Sequence, residues 1–346
     1  MTGPIHQFDQ GYGKANGAPL KVVSQPRRPL QAGEVPQVGV VYNPRSHRNK
    51  GQDLVAAGLP NVSIGLPHGR DQIAQVLAGF AEKGIDYLVI NGGDGTVRDV
   101  LTCGQSVFGE NWPELAFLPK GKTNALNVDL GAPSDWTLAQ AITAFGSGRR
   151  IERRPLEIVA LGGSETVVRG FILGGGAFTT AVKTGQDAHR MGAFNSLAVA
   201  VTSVWGVGQA LFGSDGNQWR RGTEMEITLS PDAIPLLRSK YGKAERRALI
   251  LASTLGRFPM GVQIFGGSEA GLKLAVIDHP RRRLMVLLPA ILAGYRPQWL
   301  PEAGIHQIAA EAFELTTADP FILDGEAFPG GRYRIEQGAP LSFVVP

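Results

Sequence analysis

Over positions 36–148, apolar runs of four or five residues alternate with longer segments of helical spacing. "VGVVY" (38–42) is one such run, closed by the polar turn "NPRS", and predicts a buried strand. In "GRDQIAQVLAGFAEKGID", Ile73, Val76, Leu77, Phe80 and Ala81 recur at helical spacing, and Gly84 marks the stop. "YLVI" then predicts a second strand, "GTVRDVLTC" a helix opening near Thr96, and "LAFLP" a third strand. "TNALNVDLG" reads as a turn into a short helix, and "WTLAQAITAFGSG" as a further helix ended by glycine. Strands alternating with helices predict an α/β domain on a parallel sheet at 36–150.

After Arg150 the pattern changes. "LEIVAL", the turn "GGSE" and "TVVRGFIL" predict a hairpin pair. "TEMEITLS", "RALILASTL", "KLAVID" and "FELTT" alternate in strand fashion without regular helices between them. A β-rich antiparallel domain at 151–330 follows, so the fold class is a two-domain α/β protein. Residues 1–35 are polar and glycine-rich, lack the apolar core of a signal peptide, and read as a flexible arm.

The chain has 346 residues, too many for one ordinary core. Hydrophobic content of 43% with 18% charged residues is a globular balance. A net charge of +4 is compatible with anionic surfaces or substrates. The arginine clusters at 147–155, 218–222, 244–249 and 279–285 read first as solvated strand and helix ends. They carry no interleaved aromatics for base stacking, so nucleic acid is not expected as a partner. Cys103, the single cysteine, excludes an internal disulfide and fits a reducing cytoplasm as a small core residue. Two apolar runs, 197–213 and 284–295, are too short or too interrupted to span a bilayer. The second has arginines before it and "RPQW" after it, flanks suited to a membrane surface.

The chemistry concentrates at strand ends. "NGGDGT" follows "YLVI", so Gly92, Gly93, Gly95 and Thr96 can bring backbone N–H groups to an anion at a helix start. Asp94 within that nest is repulsive to phosphate unless a metal, a proton or a hydroxyl accompanies it. An acid there suits phosphoryl transfer; the plain alternative is that it caps its own helix. After "AFLP" come Lys120, Gly121, Lys122, Thr123 and Asn124, which offer further phosphate contacts. "GKT" is not a P-loop, because Ala116 stands where that motif needs glycine. Far along, Asp324 and Glu326 flank Gly325; on an extended segment they would share a face, and the plain alternative is a hairpin turn.

Together these pieces resemble the diacylglycerol kinase catalytic-domain family, which includes bacterial lipid kinases, sphingosine kinases and ceramide kinases. "YNPRS", "GGDGTVRDV", "LPKGKTN", "LDGE" and "APLSFVVP" follow the family order over 36–346. The resemblance implies an α/β domain like that of phosphofructokinases and NAD kinases, a β-rich lipid domain, ATP in the cleft between them, and a last segment, 331–346, that returns toward the first domain. It implies ATP and Mg²⁺ as cofactors, with Asn43, Gly92–Thr96 and Lys120–Asn124 at the nucleotide. Glu326 matches the catalytic acid; Asp94, through the nucleotide's Mg²⁺ or as a base, and Asp324 are further catalytic candidates. The implied activity is phosphorylation of a primary hydroxyl on ceramide, a sphingoid base or diacylglycerol. The enzyme would be cytoplasmic, peripheral on the inner face of the membrane, and compatible with a homodimer. Departures from the family pattern are Asp99 for Glu, Lys122 for Thr, Ala125 for Asp, and Ala270 at the Asp of a structural magnesium loop. They suggest a divergent subfamily, and leave open an NAD kinase-like enzyme or a non-catalytic lipid- or nucleotide-binding member.

Overall fold

The structure, a computed structural model, describes residues 14–15, 18–19, 34–49, 58–163, 166–181, 217, 220–267 and 271–346. The expected N-terminal arm lies almost wholly outside these residues, as do the 197–213 run and Ala270. The chain divides into two compact units: one built on described residues of 9–157, 166–171 and 338–346, the other on those of 158–165 and 172–337.

The first unit is a six-stranded sheet with the order β2-β1-β3-β4-β17-β5. Its strands are β1 (Val38–Tyr42), β2 (Val62–Gly65), β3 (Tyr87–Gly92), β4 (Glu114–Pro119), β5 (Arg149–Arg153) and β17 (Leu341–Val345). The pairings of β2 with β1, β1 with β3, β3 with β4 and β4 with β17 are parallel, and only β5 runs antiparallel, against β17. Helices α1 (Arg70–Glu82), α2 (Asp94–Phe108), α3 (Ala125–Leu130) and α4 (Leu138–Ser147) complete it. Every residue of β1 and β3 is buried, as expected for continuous apolar strands covered on both faces. Val38, Val40, Tyr87, Val89, Ala116 and Leu118 pack with Leu138, Ala141 and Ala144 of α4. Gly39, between them in β1, faces the other way, where an added Cβ would meet Phe80 of α1 at 2.8 Å. Thr137 caps α4 in a capping box with Gln140.

The second unit holds two antiparallel sheets. In chain order its strands are β6 (Leu156–Ala160), within which the chain passes from one unit to the other, β8 (Ile172–Gly176), β9 (Thr223–Ser230), β10 (Leu249–Ser253), β11 (Leu272–Ile277), β12 (Ile305–Ala310), β13 (Ala312–Thr317), β14 (Phe321–Leu323), β15 (Glu326–Phe328) and β16 (Gly331–Gln337). One sheet runs β12-β11-β10-β8-β14-β15, and the other contains β9-β13-β16-β6. The "TVVRGFIL" stretch, expected as one strand, breaks at Phe171 into β7 (Val167–Gly170) and β8. α5 (Arg282–Leu292) and α6 (Leu300–Ala303) pack beside β12 through Leu284, Met285, Ile291, Leu300 and Ile305. The fold is thus mixed α/β, with a mainly parallel N-terminal sheet and antiparallel C-terminal sheets. No helix among the described residues is long and apolar enough to cross a membrane.

Candidate functional site

The strand order 2-1-3-4 reverses direction between β1 and β3. A doubly wound sheet opens a crevice at such a point, outside the carboxyl ends of the two strands. Asn43 follows β1, Gly92–Thr96 run from the last residue of β3 into α2, and Lys120–Asn124 follow β4, so all three segments meet there.

Their contacts are specific. The Asn43 amide Nδ2 donates to Thr96 Oγ1 at 2.8 Å, and its backbone N–H donates to the Asn91 carbonyl at 3.0 Å. Lys120 N–H donates to the Gly92 carbonyl at 2.6 Å, and Arg48 N–H to the Lys120 carbonyl at 3.0 Å. Asn124 has left-handed backbone angles (φ 51°, ψ 51°) and clamps its own loop: Gly121 N–H donates to its Oδ1, and its Nδ2 donates to the Gly121 carbonyl, both at 2.9 Å. Its side chain is therefore spent on shaping the loop.

The glycines serve backbone approach first. A Cβ on Gly121 would lie 2.7 Å from Gly93 Cα, and one on Gly92 would lie 2.5 Å from Thr96 Oγ1. The two loops touch backbone to backbone, which leaves main-chain surface at the mouth of α2. That cradle, the positive end of the 15-residue α2, and the exposed Lys122 and Thr123 together fit a polyphosphate.

Asp94 does not cap its own helix. α2 begins at Asp94, earlier than the expected Thr96, with Gly93 as N-cap and no side-chain cap. The Asp94 carboxylate instead accepts from Ala125 N–H (Oδ2, 3.1 Å) and Leu126 N–H (Oδ1, 3.3 Å), the first two residues of α3. It supplies the cap that Asn124 leaves unmade. The residue is half-buried overall, but its carboxyl group sits deep. Burial pushes that carboxyl above its usual range, against the pull of the Ala125, Leu126 and Asn124 N–H groups. Ala125, which stands where the resemblance leads one to expect an acid, is buried.

Asp99 joins a different arrangement, pairing with Arg70 (3.2 Å) and with the buried Arg98 (2.8 Å) along α2. Cys103 is buried, and burial pushes its thiol up to about 12, as suits an inert core residue. Sequence reasoning passed over Arg45 and Arg48, exposed on the turn after β1 beside this site. The signal was present in "NPRSHR", where two arginines follow a strand end directly.

Asp324 and Glu326 belong to the second unit. The segment is not extended: Asp324 (φ 44°) and Gly325 (φ 85°) form a two-residue turn between β14 and β15, with Leu323 paired to Glu326. Asp324 and Glu326 therefore do not share a strand face, a correction to the extended reading. Asp324 is anchored in its own unit, its Oδ1 accepting from Ile172 N–H at 2.9 Å and its N–H donating to the Ile172 carbonyl at 3.0 Å. Among the described residues no three His, Cys, Asp or Glu side chains come together to hold a metal. A magnesium ion here would be carried chiefly by phosphate oxygens, as Mg²⁺ usually is in nucleotide sites.

Fold and geometry define a doubly wound α/β domain with two glycine-bearing loops in backbone contact at its switch point. Residues 37–156 match the model of the diacylglycerol kinase catalytic domain, so the resemblance carried by the motifs holds over that segment. No curated protein matches the chain. Among solved structures it is similar to a diacylglycerol kinase from Bacillus anthracis str. Sterne, with 16% identity, a TM-score of 0.56, and coverage of 90% of this chain and 97% of that one. Another structure from that organism, provisionally named a diacylglycerol kinase, aligns with a TM-score of 0.60 at 15% identity over the same shares. At these identities the likeness is one of fold.

Proposed function

We propose that the protein is a lipid kinase that transfers the γ-phosphoryl group of ATP to a primary hydroxyl of a membrane lipid. The supporting observation is the cradle in which Gly93 and Gly121 meet backbone to backbone, inside the segment that matches the kinase domain. Bound MgATP would supply the phosphoryl group and neutralise its charge. Main-chain N–H groups at the start of α2 would orient the phosphates, and Lys120 and Lys122 would offset charge as it shifts toward the leaving group. Asp94 would act as a positioning residue, locking the Gly121 loop through α3. Glu326 would accept the proton of the acceptor hydroxyl. The acceptor would be ceramide, a sphingoid base or diacylglycerol, collected at the inner face of the cytoplasmic membrane.

The test is incubation with radiolabelled ATP and, side by side, diacylglycerol, ceramide, sphingosine and NAD, with products identified by mass spectrometry. A labelled lipid is expected. Label in NAD alone, or no product from any acceptor, would overturn the reading. Glu326→Gln should lower turnover by roughly 10²–10⁴-fold with an unchanged unfolding midpoint; near-normal turnover would remove Glu326 from the mechanism.

A further inference from the structure

A cavity of about 640 Å³ in the second unit lies apart from Glu326 in sequence and carries its own chemistry. Four cations line it, Arg238, Lys240, Arg281 and Arg283, against one carboxylate, Glu302. Lys240, Arg281 and Arg283 form no ion pair among the described residues. Arg281 is held in place by stacking, its guanidinium carbon 3.5 Å from the centroid of the Tyr241 ring. Arg238 is held by Nη2, which donates to the carbonyls of Lys243 and Arg246, while its buried Nη1 has no acceptor among the described residues.

Like charges gathered this closely repel, and their placement sharpens the cost. Arg281–Arg283 sit at the N-cap and first turn of the 11-residue α5, the positive end of the helix dipole, with no acidic residue in that turn. A bound anion would relieve both effects. The remaining wall is apolar: Leu284 and Leu287 of α5, with Trp299 (42% exposed) beside them. Val286 of α5 and Tyr295 just beyond it are also exposed, at 69% and 51%. A soluble phosphate compound would make no use of that wall. An anionic group attached to hydrocarbon uses both halves, with the tryptophan at the boundary between them.

We propose that this cavity seats the phosphate of an anionic phospholipid and holds the second unit against an anionic bilayer. The inference deepens the lipid-kinase reading by giving the enzyme a membrane-docking site built from residues other than its reacting groups. Its test runs without ATP, so it can fail separately from phosphoryl transfer.

The experiment is co-sedimentation of the full chain with vesicles of phosphatidylcholine alone or doped with phosphatidic acid. Lys240→Glu/Arg283→Glu changes two exposed cavity residues; Arg149→Glu/Arg332→Glu changes two exposed arginines away from the cavity and from α5 by the same net charge. Binding to the doped vesicles is expected to fall by roughly 30-fold or more in the cavity variant, about five-fold for each basic residue. The matched variant should retain most of it. The neutral pair Lys240→Gln/Arg283→Gln gives the same reading should the reversal unfold the protein. Equal losses in cavity and matched variants would make the attraction a property of net charge and overturn the proposal. So would unchanged binding, or inorganic phosphate displacing the matched variant no more strongly than the cavity variant.

Discussion

Asp94 joins two loops through one carboxylate: it opens α2 and closes the first turn of α3. Its effect on phosphate chemistry therefore passes first through geometry. An asparagine can accept only one of the two N–H bonds and turns an amine toward the other. Asp94→Asn should cost about 1–2 kcal/mol of stability, in the range of a lost helix cap, along with much of the turnover. Urea unfolding together with steady-state rates checks this. Lost turnover at an unchanged unfolding midpoint would instead assign the carboxylate directly to the phosphate centre. The position of Asp94 among glycines was legible in the sequence; its partners were not. They lie 31 and 32 residues further on, at the start of a six-residue helix that the sequence suggests but whose contact with Asp94 no spacing reveals. Asp324 shows the same limit, since a left-handed turn residue and its bond to Ile172 leave no trace in a spacing argument.

The elements β1, α1, β3, α2, β4 and α4 follow from apolar runs and helical spacing, because each is buried by its own side chains. The missed ones lack that signature. β2 buries one residue of four, and β5 is "RRIER", a strand because it pairs with β17 and not because of its composition. Nor does sequence show that the loops after β3 and β4 touch at Gly93 and Gly121. That contact yields a prediction at the element scale. Gly121→Ala places a methyl group 2.7 Å from Gly93 Cα and 2.8 Å from Asn124 Oδ1, so the loops must part. The expected cost is about 1–3 kcal/mol, seen as a lower thermal midpoint, with weakened protection by an ATP analogue. An unchanged midpoint and unchanged protection would show that the loops separate freely.

At the scale of the whole molecule, the second unit carries its own buried charge centre. Asp278 is paired with Arg247, lies 3.0 Å from His306 Nε2, and accepts from Ser239 N–H at 2.7 Å. Burial alone would raise its carboxyl, but His306, the Ser239 N–H and Arg247 hold it below the usual carboxylate range. A depressed folded value means that the stabilisation is complete above the unfolded value, about pH 4, and is lost as pH falls through the lower folded one. Asp278→Asn should therefore cost about 3–5 kcal/mol near neutrality, with the gap from wild type closing in acid below about pH 4. Unfolding curves across that range test it, and a gap that persists in acid would place the cost elsewhere.

β17 lies inside the first sheet, between β4 (ending at Pro119) and β5 (ending at Arg153), although it begins only at Leu341. A ribosome thus releases β4 and β5 long before the strand that joins them. Until Leu341–Val345 arrive, the inner edges of both strands present unpaired backbone, and the first unit waits with its sheet split. The cradle at Gly93 and Gly121 is encoded early, but the sheet that carries it is finished only by residues made after the entire second unit. Synthesis order thus ties the completion of this sheet to the arrival of Leu341–Val345.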